Sequence, residues 1–172
     1  MSTRDFNLDY QFQDDPWDVK FAEGGDYDFC LSWVETLQPH SIVDLGCGRG
    51  RFTRRFKKLA ENVIGIDVST IAIDKAKAEY PAVDFRVGDL RTIQLFPADV
   101  FTCKDVIYYF QHDGAEHLVD EVSKNATIGA YFSIPKISMT GEELFEMVSK
   151  KMRVVRYHAD GCHAFILAER IK

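Results

Sequence analysis

The sequence predicts an α/β fold built on a doubly wound, mostly parallel sheet that closes with an antiparallel C-terminal hairpin, seven strands in all. Three observations carry this expectation. From residue 41 onward, short apolar runs alternate with segments of helical periodicity, the pattern of a parallel sheet covered on both faces. A turn with glycine at every second position, "DLGCGRG" (residues 44–50), follows the first apolar run. The last two runs, "MRVVRYH" and "CHAFILAERI", are joined by "ADG", a hairpin signal.

In chain order, residues 1–25 form an N-terminal arm whose pattern is broken by Asp14, Asp15, Pro16, Gly24 and Gly25. Residues 26–172 form one domain. Its first helix carries Cys30, Trp33, Val34 and Leu37 on one face and stops at Pro39. "SIVDL" (41–45) is a buried strand. "RFTRRFKKLA" (51–60) is a helix with Phe52, Phe56 and Leu59 at i, i+4 and i+7. "NVIGID" (62–67) is the second strand, and Ser69 caps the helix "TIAIDKAKAEY" (70–80). "VDFRVGD" (83–89), after Pro81, and "DVFTCKDVI" (99–107), after Pro97, are the third and fourth strands. "GAEHLVDEVSKN" (114–125) is a helix and "ATIGAYFSI" (126–134) the fifth strand. Thr140 and Glu143 form a capping box that opens the helix "GEELFEMVSKK" (141–151), and the hairpin completes the sheet.

Composition excludes several classes. At 172 residues, 46% apolar and 28% charged, the chain suits one globular domain with one sizeable core. No apolar run is long enough to span a bilayer, and the polar, acidic start "MSTRDFNLDYQFQDD" is unlike a signal peptide. Cys30, Cys47, Cys103 and Cys162 are irregularly spaced, as expected of reduced thiols in a cytoplasmic protein. His158, Cys162 and His163 surround the hairpin turn but lack a fourth ligand at metal-site spacing, so no metal is expected. A net charge of −6 disfavours a long nucleic-acid footprint. Against that balance, "RGRFTRRFKK" gathers Arg49, Arg51, Arg54, Arg55, Lys57 and Lys58, either as the wet face of a helix or as a phosphate-binding patch.

The glycine turn lies at the carboxyl end of the first strand and opens a helix. In open α/β sheets ligands bind there, where the strand order reverses. Glycine lets backbone approach a ligand closely, and a helix N-terminus favours negative charge. The spacing is Gly-x-Gly-x-Gly (Gly46, Gly48, Gly50), which departs from the dinucleotide fingerprint Gly-x-Gly-x-x-Gly. Two further acids follow at strand ends. Asp67 in "VIGIDVS" can accept from both hydroxyls of a ribose, and Asp89 in "VGDL" can accept from an adenine amine. With Asp44, three acids at three consecutive strand ends outline a nucleoside-shaped cleft.

This set resembles the class I S-adenosylmethionine-dependent methyltransferases, a Rossmann-like family, over roughly residues 26 to 172. "DLGCGRG" is similar to the family's first motif, and "GIDVS" and "VGDL" to its ribose and adenine motifs. The resemblance implies that the backbone from Gly46 through Cys47 and Gly48 to Gly50 holds the methionine part of S-adenosyl-L-methionine, with S-adenosyl-L-homocysteine as product. Asp44 supports the loop, Asp67 takes the ribose, Asp89 takes the adenine, and Val68 and Leu90 flank the ring. "DDPWDV" and "KDVIYYF" also resemble segments of the NodS-type N-methyltransferases, which act on chitooligosaccharides. The chain departs from the usual pattern before the fifth strand, where "NATIGA" replaces the common Pro-Gly-Gly turn.

Methyl transfer from a sulfonium is an in-line displacement in which the protein aligns the nucleophile and removes water. Acceptor-side groups are expected at the end of the fourth strand. Backbone at Lys104 meets the cofactor, Asp105 orients an amine or hydroxyl, and Tyr108 and Tyr109 either bound the pocket or hydrogen-bond the acceptor, or pack in the core. His112 serves as base or sits as a surface residue, and Trp17 either anchors the arm or folds over the cofactor as a lid. No Asn/Asp-Pro-Pro-Tyr/Phe motif of amino-methylating DNA enzymes occurs, which favours a small-molecule or sugar acceptor. The rival readings are a tRNA or rRNA methyltransferase using residues 49–58, and a cofactor-binding subunit that needs a partner.

Overall fold

A computed structural model describes residues 4–14, 16–17, 24–135 and 139–171 of the chain. Asp15 and the Asp-Val pair at 18–19 that completes "DDPWDV" lie outside the described residues. The expected alternation is present as one seven-stranded sheet. Its strands are β1 (Ser41–Leu45), β2 (Asn62–Asp67), β3 (Asp84–Val87), β4 (Ala98–Lys104), β5 (Ala126–Pro135), β6 (Arg153–Ala159) and β7 (His163–Glu169), in the order β3-β2-β1-β4-β5-β7-β6. The first five pair in parallel, and β7 lies antiparallel between β5 and β6. The order reverses between β1 and β4, so the ligand crevice of this architecture falls at the carboxyl ends of those two strands.

Both faces of the inner strands β1, β4, β5 and β7 are buried, while β3 and β6 at the edges are largely exposed. Side chains alternate along each strand, so neighbours enter opposite layers. Ile42 and Val100 pack with α2 (Gly25–Glu35) and α3 (Thr70–Glu79) through Trp33, Val34, Ile73 and Ala76. Val43 and Phe101 pack on the other side with Leu118 and Val122 of α4 (His112–Asn125) and Leu144 and Val148 of α5 (Gly141–Ser149). Caps stand where the sequence places them. Ser69 Oγ accepts from Ala72 N at 3.1 Å, and Thr140 and Glu143 exchange both bonds of a capping box.

Three expectations are corrected. The arm is not wholly irregular: α1 (Phe6–Phe12) is a helix capped by Asp5, whose carboxylate accepts from Asn7 N at 3.0 Å. Seven residues carry too little periodicity to be read, and α1 is held by contacts with distant segments. The basic segment after β1 winds as a 3-10 helix, Thr53–Lys58, with Arg55 N donating to Phe52 O and Leu59 N to Phe56 O. In this tighter winding Thr53 reaches inward to Asp44 while Phe52 and Phe56 stay buried. Finally, β4 ends at Lys104, because Asp105 takes the left-handed conformation at φ +55° and turns the chain into a 3-10 turn, Ile107–Tyr109.

Candidate active site

A cleft of about 1230 Å³ opens over the carboxyl ends of β1 and β4. Every predicted site residue lines it except Gly50, which sits in the loop behind, and His112. The loop after β1 is bent over the end of β2: Gly46 N and Cys47 N both donate to Ile66 O, at 2.7 and 3.0 Å. Asp67 clasps it. One carboxylate oxygen accepts from Gly48 N and the other from Ser69 N, each at 2.9 Å, while burial raises its pKa.

All three loop glycines have positive φ, but they face different neighbours. A Cβ at Gly46 would stand 2.3 Å from Val106, and one at Gly50 2.3 Å from the Phe85 ring. Those two glycines are required by the chain's own packing. At Gly48 the Tyr10 hydroxyl of α1 takes the space, 2.4 Å from where a Cβ would be, and both residues line the cleft.

Asp44 lies beneath this loop, buried, with its oxygens accepting from Thr53 Oγ1 at 2.6 Å and Thr102 Oγ1 at 2.8 Å. Burial pushes its pKa up to about 6 against those two bonds. Asp89 behaves oppositely. The Arg91 guanidinium forks onto it, Nε on Oδ1 at 2.8 Å and Nη2 on Oδ2 at 2.5 Å, and holds its pKa below the usual carboxylate range. Val68 and Leu90 line the cleft between these acids.

Across the crevice, Lys104 and Asp105 form an ion pair whose lysine side chain is 8% exposed. The ammonium also lies 4.5 Å from the Tyr27 ring centre. Asp105 Oδ1 accepts from Ser133 Oγ at 2.8 Å, so both carboxylate oxygens are engaged. His112 is corrected: it projects away from the cleft at the start of α4, 71% exposed, with Nε2 3.3 Å from Glu116. The sequence around it reads as a loop, and the helix begins two residues earlier than periodicity suggests.

Trp17 and Tyr109 meet over the cleft, Trp17 Nε1 donating to Tyr109 Oη at 2.7 Å. Tyr108 lies against Tyr109, ring centres 4.2 Å apart. Burial, first, and the bond to Tyr109 raise the Tyr108 pKa. The arm adds residues the sequence reading missed: Arg4, Phe6, Asn7 and Tyr10. Asn7 Oδ1 accepts from Ser69 Oγ at 2.9 Å and Thr70 Oγ1 at 3.3 Å, pinning α1 to the start of α3. Asp14 gathers Arg49, Arg51 and Lys75 around one carboxylate. The Asp5 cap and the i, i+4 spacing of Phe6 and Tyr10 are sequence signals for this docked helix.

A family model described as a methyltransferase domain matches residues 42–127, half of the chain. The chain belongs to the class I S-adenosylmethionine-dependent methyltransferase family. Solved structures share its fold. Magnesium protoporphyrin IX methyltransferase (ChlM) from Synechocystis PCC 6803, crystallised with bound SAM, superposes with a TM-score of 0.77 at 16% identity over 96% of this chain and 95% of that one. The N-methyltransferase NodS from Bradyrhizobium japonicum WM9, in complex with S-adenosyl-L-homocysteine, does so with 0.77 at 13% identity over 98% and 100%. Among curated proteins, the dTDP-4-amino-2,3,4,6-tetradeoxy-D-glucose N,N-dimethyltransferase of Saccharopolyspora spinosa is 33% identical over 85 residues, 48% of this chain and 33% of that protein. 23S rRNA methyltransferases are also among the matches. The chain spans less than half the length of the curated relatives it matches. No helix among the described residues is long and apolar enough to cross a membrane.

Proposed function

We propose that this methyltransferase-family chain binds S-adenosyl-L-methionine and methylates a nitrogen or oxygen of a small molecule or sugar. The observation that carries the reading is the Gly48 turn clasped by Asp67 at the point where the strand order reverses. The donor set fits the cofactor: glycine backbone at Gly46 and Gly48 lining the cleft, a carboxylate at each of three strand ends, and apolar Val68 and Leu90 beside two of them. The cofactor supplies an activated methyl group on a cationic sulfur. In this reading Asp67 accepts from the ribose hydroxyls, Asp89 accepts from the adenine amine, and Asp44 carries negative charge under the loop near the ligand's cationic end. Residues 1–25 act as a lid on the domain of residues 26–172. The α1 helix and Trp17 cover the crevice and exclude water, which strengthens every charge interaction inside it.

At the acceptor end, Tyr109 can donate its hydroxyl proton to an acceptor while receiving the Trp17 bond. Asp105 is read as a positioning residue that holds the buried Lys104 ammonium while accepting from Ser133.

The rRNA relatives favour a second reading, in which residues 49–58 bind RNA. The ion pairs speak against it: Arg49 is engaged by Asp14 and Glu79, Arg51 by Asp14 at 3.5 Å, and Arg55 by Asp28 at 2.6 Å, so three cations of that run face acids of the same chain. The decisive experiment is a screen with methyl-labelled cofactor against amines, phenols, amino sugars and tRNA, together with calorimetric titration of S-adenosyl-L-homocysteine. Micromolar binding and label on a small acceptor are expected. Absence of binding overturns the cofactor assignment. Label on tRNA that weakens steeply with salt transfers the function to RNA. Binding without transfer to any acceptor leaves a cofactor-binding subunit.

A further inference from the structure

The arm brings an unusual group to the mouth of the crevice. The Arg4 guanidinium carbon lies 5.5 Å from the ring centre of Phe6, 5.4 Å from Trp17 and 5.6 Å from Tyr109. Three aromatic faces from two distant segments therefore converge on one cation. They also brace one another. Phe6 meets Tyr109 edge to face at 5.4 Å, Phe6 and Trp17 are 6.1 Å apart, and the Trp17–Tyr109 hydrogen bond joins the arm to the β4 end. The rings line the acceptor side of the cleft, adjoining Tyr108 and Asp105. Converging ring faces present negative electrostatic potential to a point charge, a geometry suited to an ammonium more than to a flat neutral ring.

Arg4 holds this place weakly. Its side chain is 49% exposed, and its carboxylate partner among the described residues is Asp9, Nε to Oδ2 at 2.8 Å. An exposed cation–π contact and a surface ion pair are each readily exchanged for an equivalent ligand.

We infer that the Phe6–Trp17–Tyr109 box is the subsite for a cationic amine acceptor, and that Arg4 is an internal surrogate that a substrate ammonium displaces. This rests on the methyltransferase reading above and narrows it to N-methylation. The charge balance of the step agrees. The amine arrives as an ammonium and loses a proton to water. The nitrogen lone pair then forms the bond to the methyl carbon, and the carbon–sulfur bond breaks with its electron pair remaining on sulfur. Positive charge passes from sulfur to nitrogen, and the three ring faces stabilise it where it develops. A deprotonated oxygen acceptor ends neutral and gains nothing from such a box.

The test uses the full chain and two probes of nearly equal shape, choline and its uncharged isostere 3,3-dimethyl-1-butanol. Binding is measured by calorimetry in wild type, Arg4→Ala, and Arg4→Ala combined with Trp17→Leu or Tyr109→Leu. Removing the surrogate should tighten choline binding about tenfold, and Arg4→Ala should prefer choline over the isostere by about five- to thirtyfold, the range that cation–π contacts carry. Either ring substitution should reduce that preference to about twofold or less. Equal binding of the two probes by Arg4→Ala overturns the assignment, as does no choline binding at all, or a preference that survives both ring substitutions. S-adenosyl-L-homocysteine is titrated into the same samples, which also checks that each variant is folded. Cofactor binding with no choline preference removes the amine subsite alone. A choline preference without cofactor binding removes the methyltransferase reading and keeps the box.

Discussion

Asp105→Asn should destabilise the protein through its neighbour and leave the backbone turn intact. Asparagine tolerates the left-handed φ of +55° and can still accept from Ser133, but an amide NH2 then replaces the charged oxygen that accepted from Lys104. Lys104 then keeps its burial, with a side chain 8% exposed, and retains the Tyr27 ring face 4.5 Å from its ammonium. In the native protein the Asp105 carboxylate offsets the desolvation of this lysine and raises its pKa overall. Leaving a buried charge unpaired costs about 3–5 kcal/mol, and a lost hydrogen bond to a charged group about 1.5–3 kcal/mol. Asp105 is itself 26% exposed, so water can partly enter, and the lower range of about 2–3 kcal/mol applies. For a chain of this length that lowers Tm by about 4–12 °C. Thermal unfolding followed by circular dichroism at pH 7.5 measures it. Adding Lys104→Met should restore most of the loss, because the uncompensated charge is gone. An Asp105→Asn variant within about 1 °C of wild type, or a double variant no more stable than the single one, would refute the reasoning.

Three further outcomes follow from the loop and its acids. Gly48→Val forces a branched side chain into φ +52° and onto the Tyr10 hydroxyl, so it should keep its circular dichroism spectrum but bind S-adenosyl-L-homocysteine at least about tenfold more weakly; normal affinity would make the loop purely structural. Asp67→Ala removes the acceptor for Gly48 N and Ser69 N as well as the proposed ribose contact, and should cost about 1.5–3 kcal/mol in calorimetric affinity; unchanged affinity would dismiss the ribose assignment. Asp44 has a folded pKa raised to about 6, so the stability it contributes is complete below about pH 4 and is lost as pH rises through 6, a difference of about 3 kcal/mol. Denaturant unfolding of wild type relative to Asp44→Asn at pH 4 and pH 7.5 should show wild type losing ground at the higher pH, and a pH-independent difference would contradict the raised pKa.

What the amino-acid sequence determined by itself is local. Strand and helix alternation, the Ser69 cap and the Thr140–Glu143 box all depend on residues within a few positions of one another, so period and capping chemistry reveal them directly. The same holds for Gly48, Asp67 and Asp89: in a doubly wound sheet each strand end faces the crevice, so an acid ending a strand is placed by topology. What only the tertiary structure decided depends on which distant segments meet. Trp17 and Tyr109 are joined by a hydrogen bond across 92 positions, and Asn7 docks on α3 across more than 60. Neither pairing leaves a trace in periodicity. Val106 and Phe85 claim Gly46 and Gly50 for packing, Lys104 and Ser133 engage both oxygens of Asp105, and α4 turns His112 out to solvent. Such assignments follow from side chains competing for the same space and the same hydrogen bonds. That competition begins only when the chain is folded, which is why the arm and the acceptor end of the cleft were the parts least legible in the linear sequence.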